Sequence, residues 1–156
     1  MSNRSSQRKA IPCGKCGFEL FNPVSVLHVS NVGLYNDARH PGRLIVTLRR
    51  HCEHFDQLRP ETMGMFMYDV QKCAGILRKI DGVERVNIAI LGNKVPHVHA
   101  HVIPRYTGEP NIGRSPWEDA EPLTEMSEER LDAMVALIKS MFWADTPLIA
   151  TTLTKS

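Results

Sequence analysis

Three histidines alternate with apolar residues in the segment PHVHAHVIPR, residues 96–105. Side chains alternate between the two faces of a β-strand, so this spacing predicts a strand with His97, His99 and His101 on one face. Imidazoles at alternate positions lie about 7 Å apart, so neighbours can grip a phosphate group or a metal ion together. Three interpretations compete: a metal site, a nucleophile with its helpers, and an inert core strand. Burying three titratable rings without a task costs desolvation, which disfavours the third.

The composition is that of one ordinary globular domain. The chain has 156 residues, 42% of them hydrophobic and 23% charged, which is enough for a single sizeable core. A net charge of +2 is too small to indicate nucleic acid or a membrane surface as the main partner. The polar, basic start predicts a flexible tail over residues 1–11 before a single domain over residues 12–156.

No apolar run has the length or flanks of a secretory signal or a membrane span. We therefore expect a cytoplasmic protein, in which the four cysteines stay reduced.

Periodicity and turn residues predict an α+β domain on a largely antiparallel sheet, with one long helix and one C-terminal helix. Strands are expected in PVSVLHVSNVGLYND, in RLIVTL after an HPG turn, and in VERVNIAILG before the histidine strand. A helix with one apolar stripe is expected over residues 60–80, ended by Asp81-Gly82. Ser127 is expected to cap the C-terminal helix. Residues 104–122, rich in Pro and Gly, predict a long surface loop.

The motif HVHAHVI resembles His-φ-His-φ-His-φ-φ, the signature of the histidine triad (HIT) family of nucleotide hydrolases and transferases. The stretch NDARHPGRLIVTLRRHCEHFDQLRPETM is similar to the family's strand, turn, strand and helix before the motif, and GNKVPHVHAHVIPR is similar to its loop and strand. Together these cover about residues 13–105. The resemblance implies a HIT-like fold, a nucleotide substrate, a homodimer and membership of a zinc-knuckle-containing, bacterial-type branch.

The same resemblance implies residue roles. The middle histidine, His99, is the nucleophile that attacks the α-phosphorus of a nucleotide, and His101 donates to a phosphate or leaving-group oxygen. Asn93 matches a phosphate-side contact. Asn36 or Asp37 lies where the family places its ribose contact, and a carboxylate would suit two adjacent hydroxyl donors.

Two positions depart from the family pattern. Arg43 follows the Pro-Gly turn where many relatives have His, and in this chain His40 precedes the turn. Lys94 stands where many have Ser or Thr; it is either a nucleotide contact that favours dinucleoside polyphosphates or a solvated loop residue. The choice between polyphosphate and phosphoramidate substrates, the base preference and the physiological role stay open.

The sequence CGKC places Cys13 and Cys16 at a spacing that can grip one tetrahedral ion, and a redox pair is the competing interpretation. Some branches of the family that this chain resembles complete such a knuckle with a His after the second conserved strand and with the first His of the triad. The resemblance thus implies a structural zinc site with four ligands: Cys13, Cys16, His51 and His97. His54 or Cys52 is close enough in sequence to replace His51.

These features predict a hydrolase that cleaves the P–O or P–N bond at the α-phosphate of dinucleoside polyphosphates or nucleoside phosphoramidates, through a nucleotidyl-histidine. One alternative is a nucleotide-binding regulatory or interaction protein with little turnover, but the presence of His99 favours the enzyme. Another is a nucleotidyltransferase, although transferase relatives often have Gln where this chain has His101. A catalytic zinc with His99 as ligand fits less well, because no further partner stands at a convincing spacing.

Four other residues carry expectations. Cys73 and Met63 are predicted to pack in the core from the long helix. Trp117 either covers the nucleotide or a second subunit, or anchors its own loop. Arg105 either meets phosphate or forms a surface ion pair.

Overall fold

The histidine segment lies in the interior of a five-stranded antiparallel sheet in the computed structural model, which describes residues 10–118 and 122–145. Within those residues the elements follow in this order: β1 Ala10–Pro12, β2 Glu19–Phe21, β3 Pro23–Val26, β4 Ser30–Leu34, β5 Leu44–Leu48, α1 Pro60–Leu77, β6 Val83–Ala89, β7 His99–Tyr106 and α2 Glu128–Ala144. The sheet order is β3, β4, β5, β7, β6, and β1 pairs with β2 in a separate antiparallel hairpin. The predicted α+β fold is confirmed.

Alternation along two central strands separates the core from the functional face. Leu44 pairs with Val102 and Val46 with Ala100 between β5 and β7, and these side chains lie in the core. The intervening pairs put His101 opposite Ile45 and His99 opposite Thr47. Because a strand's side chains alternate, the two histidines share the face that points away from the core. His97, which was expected on the same strand, precedes β7 instead.

Helix α1 covers the core face of the sheet with one buried stripe: Phe66, Val70, Cys73, Ile76 and Leu77. The prediction for Cys73 is therefore confirmed, whereas that for Met63 is wrong, because its side chain stays 37% exposed. The helix begins at Pro60 as predicted and ends at Leu77 rather than at residue 80. Proline suits the first helical position because the N–H that it lacks has no partner in the helix there.

Helix α2 packs on β3 and on α1. Ser127 caps it as predicted, with its Oγ accepting a hydrogen bond from the Arg130 amide at 3.3 Å. Leu131, Ile138 and Phe142 form its buried stripe. The long loop after β7 contains a short 3₁₀ turn over Pro116–Glu118, and residues 119–121 of this loop are not described.

Glycine is required at two positions that shape the site. A Cβ on Gly33 of β4 would lie 2.4 Å from the Phe21 carbonyl oxygen, so the hairpin formed by β1 and β2 rests directly on the β4 backbone. Gly42, in the turn before β5, has a φ of 98°, a conformation that side-chain-bearing residues avoid. This turn places Arg43 on the same face of the sheet as His99 and His101.

The predicted tail over residues 1–11 falls largely outside the described residues, although Ala10 and Ile11 lie in β1. The predicted domain boundaries stay predictions. Neither helix of the described chain is long and apolar enough to cross a membrane.

Candidate active site and metal centre

Four side chains converge between the start of β7 and the CGKC segment. The ligand atoms of Cys13, Cys16, His51 and His97 all lie within 4.8 Å of one another. The Cys13 Sγ is 3.6 Å from His51 Nδ1, and the Cys16 Sγ is 3.6 Å from His97 Nδ1. Of the residues predicted for zinc, all four are brought together. His54 is exposed, and Cys52 donates its thiol to the His54 carbonyl oxygen.

Local hydrogen bonds prepare this cluster for a cation. The His97 Nε2 is 2.8 Å from the Leu48 carbonyl oxygen; a carbonyl only accepts, so Nε2 carries the proton and the Nδ1 lone pair faces Cys16. Backbone hydrogen bonds from Lys15 and Cys16 lower the pKa of the Cys13 thiol to about 6, which favours the thiolate at neutral pH. Two sulfurs and two imidazole nitrogens are a donor set suited to tetrahedral zinc. The four residues could therefore bind a metal ion.

His99 has the opposite tautomer. Its Nδ1 lies 2.7 Å from the His97 carbonyl oxygen, so Nδ1 carries the proton and Nε2 keeps a lone pair. The side chain is almost buried, at 7% exposure. Phe18 stacks on both His97 and His99, with centroid distances of 5.5 and 5.9 Å. The ring of His99 is thus held between its own backbone and an aromatic cover, with its nucleophilic nitrogen defined.

His101 is fixed by a side chain rather than by a carbonyl. Its Nδ1 is 3.0 Å from an Arg43 guanidinium nitrogen; a guanidinium only donates, so Nδ1 accepts and Nε2 bears the proton. Burial, together with the charge of Arg43 and the neighbouring His99, lowers the pKa of His101 to about 4. At neutral pH this ring is an uncharged hydrogen-bond donor.

Asp37 does not reach the cavity, which differs from the ribose role considered for it. It is fully buried, and its carboxylate is bound by Arg39 at 3.0 Å and by Arg43 at 2.9 Å. Burial alone would raise the pKa of Asp37, but the hydrogen bonds from Arg39 and Arg43 outweigh it, so the pKa lies below its ordinary value. The carboxylate holds Arg43 in place and has no oxygen to spare for a sugar.

A cavity of about 920 Å³ opens in front of His99 and His101. Asn36, Asn93 and Lys94 all line it, so three of the predicted nucleotide contacts are brought to one place. The Asn36 side-chain oxygen accepts from the Met126 amide at 2.8 Å, which leaves its NH₂ group for a ligand. Apolar walls come from the hairpin and β4, through Leu20, Phe21 and Leu34. Such a volume and mixed lining are typical of small-molecule sites.

Trp117 lies at the mouth of this cavity. Its ring is 5.6 Å from the His101 ring and 5.6 Å from the Arg43 guanidinium, and its side chain is 48% exposed. This position agrees with a cover over the ligand.

Arg105 forms the expected ion pair, with Glu109, but the pair is buried rather than on the surface, and Arg105 does not line the cavity. It is 1% exposed and contacts Glu109, the Asn87 side chain, and the carbonyls of Asn111 and Arg114. It ties down the loop that leads to Trp117.

Phe18 and Tyr35 were not predicted. Phe18 stands two residues after Cys16, and the ring of Tyr35 lies 4.3 Å from the Arg43 guanidinium. In the sequence, a position close to motif residues is the feature that could have identified them, because a single aromatic residue has no diagnostic spacing.

The family model that matches this chain is that of the HIT domain, over residues 28–108. The chain belongs to the histidine triad family. The HIT motif thus supplies the first residues of β7, including His99 and His101, whose rings lie on the face away from the core. Membership of the bacterial-type branch stays a prediction.

Individual HIT proteins are similar over parts of their length. The chain is 31% identical to a histidine triad protein of Sinorhizobium meliloti, covering 76% of this chain and 87% of that one, with a TM-score of 0.67. It is 35% identical to an uncharacterised HIT-like protein of Methanocaldococcus jannaschii over 47% of this chain and 60% of that protein. It is 31% identical to the asymmetrical bis(5'-nucleosyl)-tetraphosphatase of Schizosaccharomyces pombe over 42% of this chain and 38% of that enzyme.

Proposed function

We propose that this protein is a nucleotide hydrolase that cleaves the bond next to the α-phosphate of dinucleoside polyphosphates or nucleoside phosphoramidates. One observation carries the proposal. The His99 Nδ1–H donates to the His97 carbonyl oxygen at 2.7 Å, which leaves the Nε2 lone pair for phosphorus on a wall of the cavity. A neutral imidazole is nucleophilic at pH 7 without a separate base.

The reaction takes two steps. His99 Nε2 forms a bond to the α-phosphorus, and the bond from phosphorus to the leaving oxygen or nitrogen breaks, with the electron pair departing on the leaving group; a leaving nitrogen also takes up a proton from solvent as it departs. Water then attacks the same phosphorus, the N–P bond breaks, and its electron pair returns to Nε2. The products are a nucleoside monophosphate, the leaving group and a regenerated imidazole, with the proton of water taken up by solvent or by product.

The remaining cavity residues support the nucleotide. His101 Nε2–H would donate to the phosphate or leaving-group oxygen as its charge develops. Asn93 and Lys94 would contact the phosphates, and the Asn36 NH₂ group would contact the ribose. The apolar walls beside Phe21 and Leu34 suit a base.

We assign zinc as a structural cofactor. Cys13, Cys16, His51 and His97 would hold it, and it would supply a rigid link between the CGKC segment and the first residues of the histidine motif. The His97 carbonyl that orients His99 belongs to one of these ligands. Homodimer formation and a cytoplasmic location are part of the same proposal and rest on the family resemblance and the composition.

The test is capture of the intermediate. Rapid-quench mass spectrometry with diadenosine tetraphosphate and with an adenosine phosphoramidate should find an adenylyl group on His99. The variant His54→Asn, which alters an exposed histidine outside the site, should give the same adduct. Nucleotide binding without an adduct or monophosphate from either substrate, unchanged in His99→Ala, would instead identify a binding protein.

A further inference from the structure

We infer that Arg43 is a positioning residue: its guanidinium fixes His101 in the tautomer that donates through Nε2, and this donor suits leaving groups that depart as anions. The inference rests on the proposed function and narrows its substrate class. It assigns a role to Arg43, one of the two positions at which this chain departs from the family pattern.

The geometry holds Arg43 rigidly. One terminal nitrogen donates to Asp37 Oδ2 at 2.9 Å and the other donates to His101 Nδ1 at 3.0 Å. The guanidinium carbon lies 4.3 Å from the centre of the Tyr35 ring, which supports it from below. The side chain is only 6% exposed. A guanidinium has donors and no acceptor, and this one is held in place on two sides. The Nδ1 of His101 must therefore accept its hydrogen bond, which leaves the proton on Nε2.

The charges around His101 favour its neutral form. Arg43 faces it from the turn before β5, His99 faces it from β7, and the rings of Tyr35 and Trp117 pack edge-on. Asp37 touches Arg43 rather than His101, and its charge is shared with Arg39. Within residues 10–118 and 122–145, no carboxylate bonds to His101. Its pKa, lowered to about 4, agrees with this arrangement.

A neutral donor discriminates between leaving groups. When a phosphate leaves the α-phosphorus it carries away the electron pair as an anion, and a hydrogen bond from His101 Nε2–H stabilises that charge without proton transfer. An amine leaving group must instead take a proton as the P–N bond breaks. A neutral imidazole is too weak an acid to supply it, and Arg43 disfavours the imidazolium that could. The site therefore favours dinucleoside polyphosphates over phosphoramidates of simple amines.

The first experiment uses the unaltered protein. Long-range ¹H–¹⁵N spectra of histidine-labelled protein between pH 5.5 and pH 8 should assign His101 to the Nε2–H tautomer with no titration. A Nδ1–H tautomer or a titrating His101 would overturn the inference. This measurement needs no turnover, so it decides the role of Arg43 even if the proposed hydrolysis fails.

The second experiment compares Arg43→Lys with Arg43→Met, which are similar in length and differ in their N–H donors. At pH 7.5, Arg43→Met should lower kcat on diadenosine tetraphosphate about 10- to 100-fold, as the loss of an orienting partner typically does. Arg43→Lys should retain most of the rate. At pH 6 the Met variant should lose less activity on an adenosine phosphoramidate than on the polyphosphate, because its His101 can become protonated.

A third variant separates positioning from a merely structural effect. In a His101→Ala background, Arg43→Met should change kcat by less than about 3-fold, because the two residues act as one unit. An equal loss in both backgrounds, or equal losses on both substrates, would overturn the inference. If Arg43→Met unfolds, the double variant Asp37→Asn with Arg43→Met removes the buried carboxylate that would be left with Arg39 as its cation, and serves in its place.

Discussion

The cluster of four candidate metal ligands and the cavity are joined by the three histidines of the motif, and the hydrogen bonds of each histidine ring differ. His97 turns its Nδ1 toward the cysteines because Leu48 engages its Nε2. His99 presents its Nε2 because the His97 carbonyl engages its Nδ1. His101 is bonded at Nδ1 by a cation, and so it donates instead of attacking. The partner of the remote nitrogen, rather than the residue type, decides which chemistry each ring can perform.

The largest effect should come from His99→Asn. We expect kcat to fall by at least about 10⁴-fold, because removal of a nucleophile abolishes the covalent route. Zinc content, measured by elemental analysis, should stay the same, since His99 is outside the cluster. A His99→Asn variant that kept its rate would contradict the role of His99 as nucleophile. A variant that also lost zinc would contradict the separation of His99 from the metal ligands.

The variant Cys16→Ser should reverse this pattern. Loss of the metal should lower Tm by about 10 °C or more, since each kcal/mol corresponds to about 2–4 °C in a chain of this size. The kcat should fall only about 10-fold, through the loosened His97 carbonyl. Cys52→Ser is the matched control, because Cys52 lies beside the cluster without joining it. Equal zinc content and equal Tm in both variants would contradict the assignment of Cys16 as a ligand of a structural zinc.

Replacement of Trp117 should affect binding more than chemistry. Trp117→Ala should raise KM about 5- to 10-fold, as expected for an aromatic contact of about 1 kcal/mol or slightly more. The kcat should change less than 2-fold, in line with a cover. Trp143, which is 84% exposed on α2, supplies the control: Trp143→Ala should match the unaltered protein in both constants. A kcat effect without a KM effect would place Trp117 among the reacting groups.

The smallest effect concerns pH and stability. The folded pKa of His101 is about 4 against an ordinary value of 6.5, so the unfolded chain binds more protons between these values. This contribution is fully present above pH 6.5 and is lost as the pH falls towards 4. Urea midpoints should therefore decline more steeply over this range in the unaltered protein than in His101→Asn. Because both proteins keep the four candidate metal ligands, parallel slopes would contradict the assignment of a neutral His101.

Strongly patterned elements were predictable. The apolar run of β5 and the apolar stripe of α1 indicate burial, and both elements were predicted from them. The histidine alternation located β7, although the strand begins two residues later than expected and continues to Tyr106, three residues into the predicted loop over residues 104–122. The hairpin could not be predicted, because each of its strands has only three residues and owes its position to contact with Gly33. The partnership of Asp37 with Arg43 was also out of reach, since a sequence does not reveal which of several nearby charges is buried.

The close contact at Gly33 has a consequence for the shape of the pocket. The Phe21 carbonyl oxygen lies directly over Gly33. The hairpin of β1 and β2 therefore sits against β4 and forms one wall of the cavity. The CGKC segment and Phe18 lie in the loop that joins the two strands of this hairpin, and Phe18 stacks on the ring of His99. A bulkier residue at position 33 would push the hairpin away from β4, and the stacking of Phe18 on His99 would be disturbed with it.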